Sequence, residues 1–279
     1  MSRVPLMADR ARVFADHEYG VSHQVLLMGA GADLIAERVG ASRADCDAVA
    51  YLSHQRALRA QHEGRFTSVV PIKTPSGSVS LDECIRPLLT AERLAAMPPA
   101  FLTLGAAGSD AVQLSQYPGL TKITHVHTAG NSPAMCDAAA VLLVGSKMLA
   151  SDQGLTPKVR IVDSVTCCGE PLEVVSGCVA ATKAILSRNK LSPSDVDVFE
   201  IHEAFAATIV KLQRELKIDS ARLNINGGCI ALGHPMGATG AIMAGTAIDE
   251  LMRCDGSIGI IAASGAAGSG SALLVERCY

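Results

Sequence analysis

Hydrophobic and polar positions change rhythm near Thr124. Upstream, Val49, Leu52, Ala57 and Leu58 line a long helical pattern that ends near Gly64. Ser42-Arg43-Ala44-Asp45 opens it as an N-cap with an acid three positions on. Val69-Val70-Pro71-Ile72-Lys73 predicts a short strand, Pro75-Ser76-Gly77 a turn, and Thr90-Ala91-Glu92-Arg93-Leu94 a short helix that Pro98-Pro99 closes. Downstream, strands alternate with small-residue helices. The pattern predicts a helix over 134–149, a strand over 159–165 and a helix over 179–187. A strand over 196–201, a helix over 203–216, a strand over 223–225 and a helix over 236–253 follow. Two closing strands, 258–263 and 272–276, flank a glycine-rich turn. Alternation that ends in a hairpin predicts an α/β fold with a mixed sheet.

Composition narrows the classes. With 49% hydrophobic and 18% charged residues in 279, the chain is globular rather than disordered. A net charge of −3 gives no general attraction to nucleic acid or an anionic membrane. No apolar run reaches the ~18–20 residues that span a bilayer, and the amino-terminal Met1-Ser2-Arg3-Val4-Pro5 does not read as a signal peptide. Nine cysteines without a CxxC pair fit buried free thiols in a reducing cytoplasm, and no metal site is expected. Without Trp and with few aromatics, the core is built from Ala, Val, Leu and Ile.

Three segments carry chemistry. In Asn226-Gly227-Gly228-Cys229-Ile230-Ala231-Leu232-Gly233-His234-Pro235, the imidazole of His234 stands between a glycine turn and a proline suited to a first helical turn. A helix N-terminus there favours neutral imidazole, which accepts a proton from a thiol or donates to a thioester oxygen. The plain alternative is a capping histidine. In Phe199-Glu200-Ile201-His202-Glu203-Ala204-Phe205, a strand end delivers His202 to the mouth of the sheet, where α/β ligands bind. The alternative has His202 capping the next helix, with Glu203 complementing its dipole. In Ser264-Gly265-Ala266-Ala267-Gly268-Ser269-Gly270, small residues expose amides fit for an oxyanion hole, or form an ordinary hairpin turn. The segment has neither the Gly-Lys-Ser/Thr of a P-loop nor the glycines of a dinucleotide fingerprint, which argues against a nicotinamide-dependent oxidoreductase.

In this order the segments resemble the thiolase family, which shows Asn-Glu-Ala-Phe-Ala or His-Glu-Ala-Phe, then Gly-Gly-Ala-Ile-Ala-Leu-Gly-His-Pro, then Cys-x-Gly-Gly-Gly-x-Gly. Upstream, Leu27-Met28-Gly29, Ser42-Arg43 through Asp45, Asp82-Glu83-Cys84-Ile85-Arg86-Pro87 and Thr128-Ala129-Gly130-Asn131-Ser132 are similar to further family blocks. The resemblance implies a thiolase-like fold, its C-terminal half with a mixed sheet and layered helices, plus an inserted, mostly helical loop domain. It divides the chain into 1–123 (loop domain covering coenzyme A), 124–157 (remnant of the N-terminal half) and 158–279 (C-terminal domain). It implies acyl transfer between acyl-CoA thioesters through an acyl-cysteine, with coenzyme A as substrate and no bound cofactor. His234 matches the histidine that activates the nucleophile, His202 the residue that orders a water at a second oxyanion hole, and Ser264 the acid–base cysteine. Met28, Arg86, Ala129, Asn131 and Ser132 match positions along the pantetheine, with Pro133 where the family has a cofactor-contacting serine. His202 and Ser53-His54 look most like the β-subunits of fatty-acid oxidation complexes, which implies a homo-oligomer in the cytoplasm and a hydratase/dehydrogenase partner subunit.

Two departures shape the expectation. Met1-Ser2-Arg3-Val4-Pro5 looks like a family segment that lies after the nucleophile helix, so most of the N-terminal half, with the nucleophilic cysteine, is expected to be missing. Serine at 264 replaces a thiol of pKa ~8.5 by a hydroxyl that hardly ionises near neutral pH. The chain alone is therefore expected to be inactive, with a non-catalytic CoA-ester-binding or scaffold subunit as the alternative. A single half should also expose helix faces that the family buries, the 236–253 helix among them.

Overall fold

The computed structural model describes residues 26–278. The Met1–Pro5 segment lies outside them. The upstream part is helical. Helix α1 (Met28–Val39) ends in a left-handed Gly40. Helix α2 (Arg43–His62) begins with the reciprocal capping box that its sequence announces, the Ser42 hydroxyl accepting from the Asp45 N–H and the Asp45 carboxylate accepting from the Ser42 N–H. An exposed hairpin, β1 (Ile72–Thr74) and β2 (Gly77–Val79), follows; the strand sits slightly later than the predicted 69–73, beyond Pro71. Helix α3 (Ala91–Ala95) is capped by Thr90, and α4 spans Asp110–Gln116.

Segment 125–131 is pinned onto α1 and α2 by buried polar groups. Asp33 Oδ1 accepts from the Val126 and His127 N–H groups at 3.1 Å each and pairs with His127 Nδ1 at 2.7 Å. Asn131 Nδ2 donates to Asp47 Oδ1 at 2.8 Å and to the Val126 carbonyl. These bonds satisfy groups that would otherwise be costly to bury.

The predicted helix over 134–149 does not form. Only α5 (Lys147–Asp152) is helical, and Val141, Leu143, Val144 and Met148 are exposed. A helix of this size takes most of its stability from a packed apolar face, and this one meets none among the described residues.

The sheet has the order β3-β6-β5-β4, made of β3 (Val159–Cys168), β4 (Val198–Ile201), β5 (Ile258–Ser264) and β6 (Ser269–Arg277). β4 runs parallel to β5, and the other pairs are antiparallel, which is the mixed sheet that the alternation predicts. The strand predicted over 223–225 is reduced to one bridge between Leu223 and Phe199. Asn224 takes a left-handed φ of 45° and turns its amide onto β4 instead, accepting from Ile201 N–H at 2.8 Å and donating to the Ile201 carbonyl at 2.9 Å. Its side chain does the work of a ladder residue while its backbone turns away.

Side chains alternate across the sheet with period two. Phe199, Ile201, Ile260, Ala262, Ala272 and Leu274 face α6 (Gly177–Arg188) and α7 (Ala206–Leu216). Val198, Ile261 and Val275 face α9 (Thr239–Arg253), which follows the short α8 (Cys229–Leu232). On its far side α7 packs against α1 and α2 through Ala206, Ala207 and Val210, so helices lie in layers behind the sheet. Helix α9 buries Met243, Ala247 and Leu251 against the strands. The large apolar exposure expected over 236–253 therefore stands mainly at 141–149 instead, because the sheet already covers the inner face of α9.

Candidate active site

β4 ends by handing His202 to the sheet's carboxyl edge, where its N–H donates to the Ala262 carbonyl of β5 at 2.8 Å. Helix α7 starts only at Ala206, with Phe205 as N-cap, so His202 does not cap it. Glu203 is no dipole partner either. It is buried, and burial holds its carboxyl above the usual range. It accepts from Ser53 Oγ at 2.7 Å, from Ile230 N–H at 3.0 Å and from Asn224 Nδ2 at 3.1 Å, while Gly228 N–H donates to Ser53 Oγ at 3.0 Å. One carboxylate thus ties α2, the end of β4 and the glycine turn together. Sequence reasoning missed this role; the signal was a second acid, three residues after Glu200, at a strand–helix junction flanked by Phe199 and Phe205.

The turn ends at Gly233, whose φ of 86° a side chain rarely adopts. A Cβ there would also sit 2.5 Å from Cys136 Sγ and 2.9 Å from Cys84 Sγ. Beyond it His234 is fixed at both ends: its N–H donates to the Ala134 carbonyl at 2.7 Å, and its Nδ1 shares a hydrogen bond of 2.8 Å with Thr239 Oγ1, on the first residue of α9. His202 and His234 meet with ring centroids 4.6 Å apart at a 44° tilt. His202 is 4% exposed, and neither of its ring nitrogens has a hydrogen-bond partner among the described residues. Burial, with His234 alongside, pushes its pKa down to about 3; the Ser264 backbone, nearby but outside hydrogen-bond geometry, pulls the other way. His234 is also shifted down, by burial rather than by the helix terminus that its sequence suggested. Both rings are therefore neutral near pH 7, each offering one N–H donor and one acceptor nitrogen.

Ser264 lies at the end of β5, beside β4. Its hydroxyl accepts from the Cys178 N–H at 2.8 Å, which ties it to the start of α6. The amides of Gly265 and Gly268 donate within the protein, to the Ser269 and Val174 carbonyls, so these two are committed to the hairpin rather than to an oxyanion. Cys229, which sequence reasoning did not single out, is buried and offers its sulfur to the same place: single ligand atoms of His202, Cys229 and His234 all lie within 4.8 Å of one another.

The cofactor-side candidates fall into two groups. Arg86 donates through both terminal nitrogens to the Ala129 carbonyl at 3.3 Å, and its backbone N–H donates to His54 Nδ1. Ser132 keeps a buried Oγ without a partner among the described residues, and Met28 stands exposed at the start of α1. The Asn131 side chain, in contrast, is wholly engaged in pinning its own loop, accepting from Thr128 N–H and donating to Asp47 and Val126.

Two family models match the chain: the thiolase N-terminal domain over residues 11–115 and the thiolase C-terminal domain over 155–277. A 3-ketoacyl-CoA thiolase of Colwellia psychrerythraea is 34% identical over 289 aligned positions, covering 99% of this chain and 69% of that protein. The 3-oxoadipyl-CoA/3-oxo-5,6-dehydrosuberyl-CoA thiolase of Escherichia coli is 37% identical, covering 88% of this chain and 58% of its own length. The crystal structure of the Bacillus anthracis acetyl-CoA acetyltransferase superposes with a TM-score of 0.77 at 33% identity, over 91% of this chain and 60% of that one. Human mitochondrial 3-ketoacyl-CoA thiolase in complex with CoA gives 0.78 at 29% identity, again with 60% of its length covered.

Proposed function

As the chain belongs to the thiolase family, we propose that it contributes the two-histidine half of an acyl-CoA acyltransferase site, which cleaves 3-ketoacyl-CoA with CoA or runs the reverse condensation. The observation that carries this reading is the pair of neutral imidazoles 4.6 Å apart at the carboxyl edge of the sheet, one of them buried with both nitrogens unpartnered. A thioester oxygen that gains charge in the transition state is stabilised by donors already aimed at it in a water-poor pocket. His202 offers one such donor; His234, whose Nδ1 is taken by Thr239, has only Nε2 free, and this becomes a second donor once it has accepted a proton. The ring of His234, oriented by Thr239, also serves as acceptor for the proton of an attacking thiol. Met28, Arg86, Ala129 and Ser132 form the pantetheine side of this reading, supported by the Arg86–Ala129 contact and the unpartnered Ser132 hydroxyl; for Asn131 only its backbone remains to touch the cofactor.

Acyl transfer also needs a nucleophilic thiol within about 3.2 Å of the His234 acceptor nitrogen. The test is acetoacetyl-CoA thiolysis by this chain with and without a chain that supplies the family's N-terminal half. In whichever arm turns over, His234→Ala should lower the rate by roughly 10²–10⁴-fold. A complemented enzyme indifferent to His234→Ala ends the proposal. The same reading places the protein in cytoplasmic fatty-acid β-oxidation, as a homo-oligomer able to join a hydratase/dehydrogenase subunit. Native mass measurement tests the assembly. Among the described residues no helix is long and apolar enough to cross a membrane.

One observation favours a second reading. By the resemblance Ser264 replaces the family's acid–base cysteine, and its hydroxyl accepts from the Cys178 amide. That suits a subunit which binds CoA esters without turning them over. Calorimetry with acetyl-CoA distinguishes the two: binding without turnover in any assembly selects the second.

A further inference from the structure

The family resemblance gives no role to the sulfur beside the two imidazoles. Cys229 opens α8 and is buried, with its thiol facing His202 and His234. We propose that His202, Cys229 and His234 form a transition-metal site of the zinc class, with a fourth position left for water or a substrate thiol. Two imidazoles and a thiolate are ligands of the kind zinc selects.

Three independent features support the assignment. The first is spacing: the ligand atoms lie within 4.8 Å of one another, whereas tetrahedral bonds of about 2.1 Å to nitrogen and 2.3 Å to sulfur set them roughly 3.6 Å apart. Side-chain rotation closes a gap of that size. The second is the orphaned ring of His202. A buried imidazole with neither nitrogen satisfied is costly, and a metal ion gives it a partner. The third is the surroundings. Thr239 Oγ1 holds His234 Nδ1, the outer contact that orients a ligating histidine and leaves its Nε2 free when Nδ1 carries the proton. On binding, the S–H bond of Cys229 breaks, its proton leaves to solvent, and a sulfur–metal bond forms.

The site itself stands on this geometry. Its consequence rests on the acyl-transfer reading: an imidazole bound to metal no longer holds a thioester oxygen or takes a proton from a thiol, so zinc and acyl transfer exclude each other. The metal would act as a reversible block of the pocket.

The test starts from the purified, chelator-stripped protein and titrates Co²⁺, then Zn²⁺. One equivalent of Co²⁺ should give a sulfur-to-cobalt charge-transfer band with the visible bands of a tetrahedral ion, and Zn²⁺ should bleach both. Cys229→Ala and His202→Asn, each introducing a residue that family blocks also carry, should weaken Zn²⁺ binding by at least about tenfold, and the first should abolish the charge-transfer band. A double Cys84→Ser, Cys136→Ser variant should keep the band. No charge-transfer band in the unsubstituted protein, or one that survives Cys229→Ala, overturns the site. These readouts need no turnover, so the metal site and the acyl-transfer reading fail separately. In a complemented, active enzyme, Zn²⁺ should inhibit the unsubstituted form and leave Cys229→Ala at least about tenfold less sensitive.

Discussion

Two apolar runs of similar character meet opposite fates in this molecule. In β5, Ile260 and Ile261 are almost wholly buried, whereas in Val141-Leu142-Leu143-Val144 the outer residues are 93% and 68% exposed. Hydrophobicity does not separate them; neighbours do. β5 lies between two strands and has helices over both faces, so each pleat finds a partner. The 141–144 run has no strand beside it and no helix above it among the described residues, and it takes no regular structure. Burial is a property of the pair of surfaces. A continuous exposed apolar stretch of this kind marks a surface that another surface covers.

Substitutions sharpen the contrast, the largest effect first. Phe199→Ala removes a fully buried ring from the sheet's helix-facing core and should cost about 3–5 kcal/mol in urea unfolding. Glu203→Ala leaves Ser53, Asn224 and the Ile230 amide without their acceptor; about 3 kcal/mol is expected, with weaker His202–His234 coupling seen as altered ring shifts in NMR. Ser42→Ala deletes one half of the α2 capping box and should cost about 1 kcal/mol in the same urea titration. Leu143→Ser, on the exposed run, should change stability by less than about 0.5 kcal/mol. If Leu143→Ser destabilises as much as Phe199→Ala, the two regions do not differ as described.

Acid offers a gentler probe. Burial, helped by Arg86, lowers the His54 pKa to about 4, while an unfolded histidine titrates near 6.5. Between these values the unfolded chain binds more protons, so the His54 contribution is complete above about pH 6.5 and is lost as pH falls through the folded value. Urea midpoints should therefore fall from pH 6.5 toward pH 4 more steeply for the unsubstituted protein than for His54→Gln. Parallel slopes would show that His54 is not the group responsible.

Much of the architecture could be read ahead of the coordinates where local chemistry and tertiary contacts agree. The α2 cap, the α6 and α7 patterns and the closing hairpin are such places. The reading failed where a distant group overrode a local pattern. Nothing in Leu223-Asn224-Ile225 says that the Asn224 amide will replace the ladder, because its partner, Ile201, is over twenty residues away. The 134–149 pattern is helical in spacing, but no face meets it. At the site, the local settings of His202 and His234 left capping roles open, and the resemblance singled the two out; the structure adds that their rings meet. Glu203 and Cys229 were not legible: an acid and a thiol acquire meaning only when α2 and the glycine turn come together around them.

Gly177 and Gly270 lie back to back across α6 and β6. A methyl group on Gly177 would fall 1.9 Å from the Ser269 carbonyl oxygen, and one on Gly270 would fall 2.0 Å from that of Gly177. The obstacle in both cases is backbone of the opposite element, so drift at either codon meets main chain rather than a yielding side chain. A second change at the opposite codon adds bulk instead of relieving it. In a saturation library these two positions should accept glycine alone, and the seam between them should stay invisible to compensatory evolution.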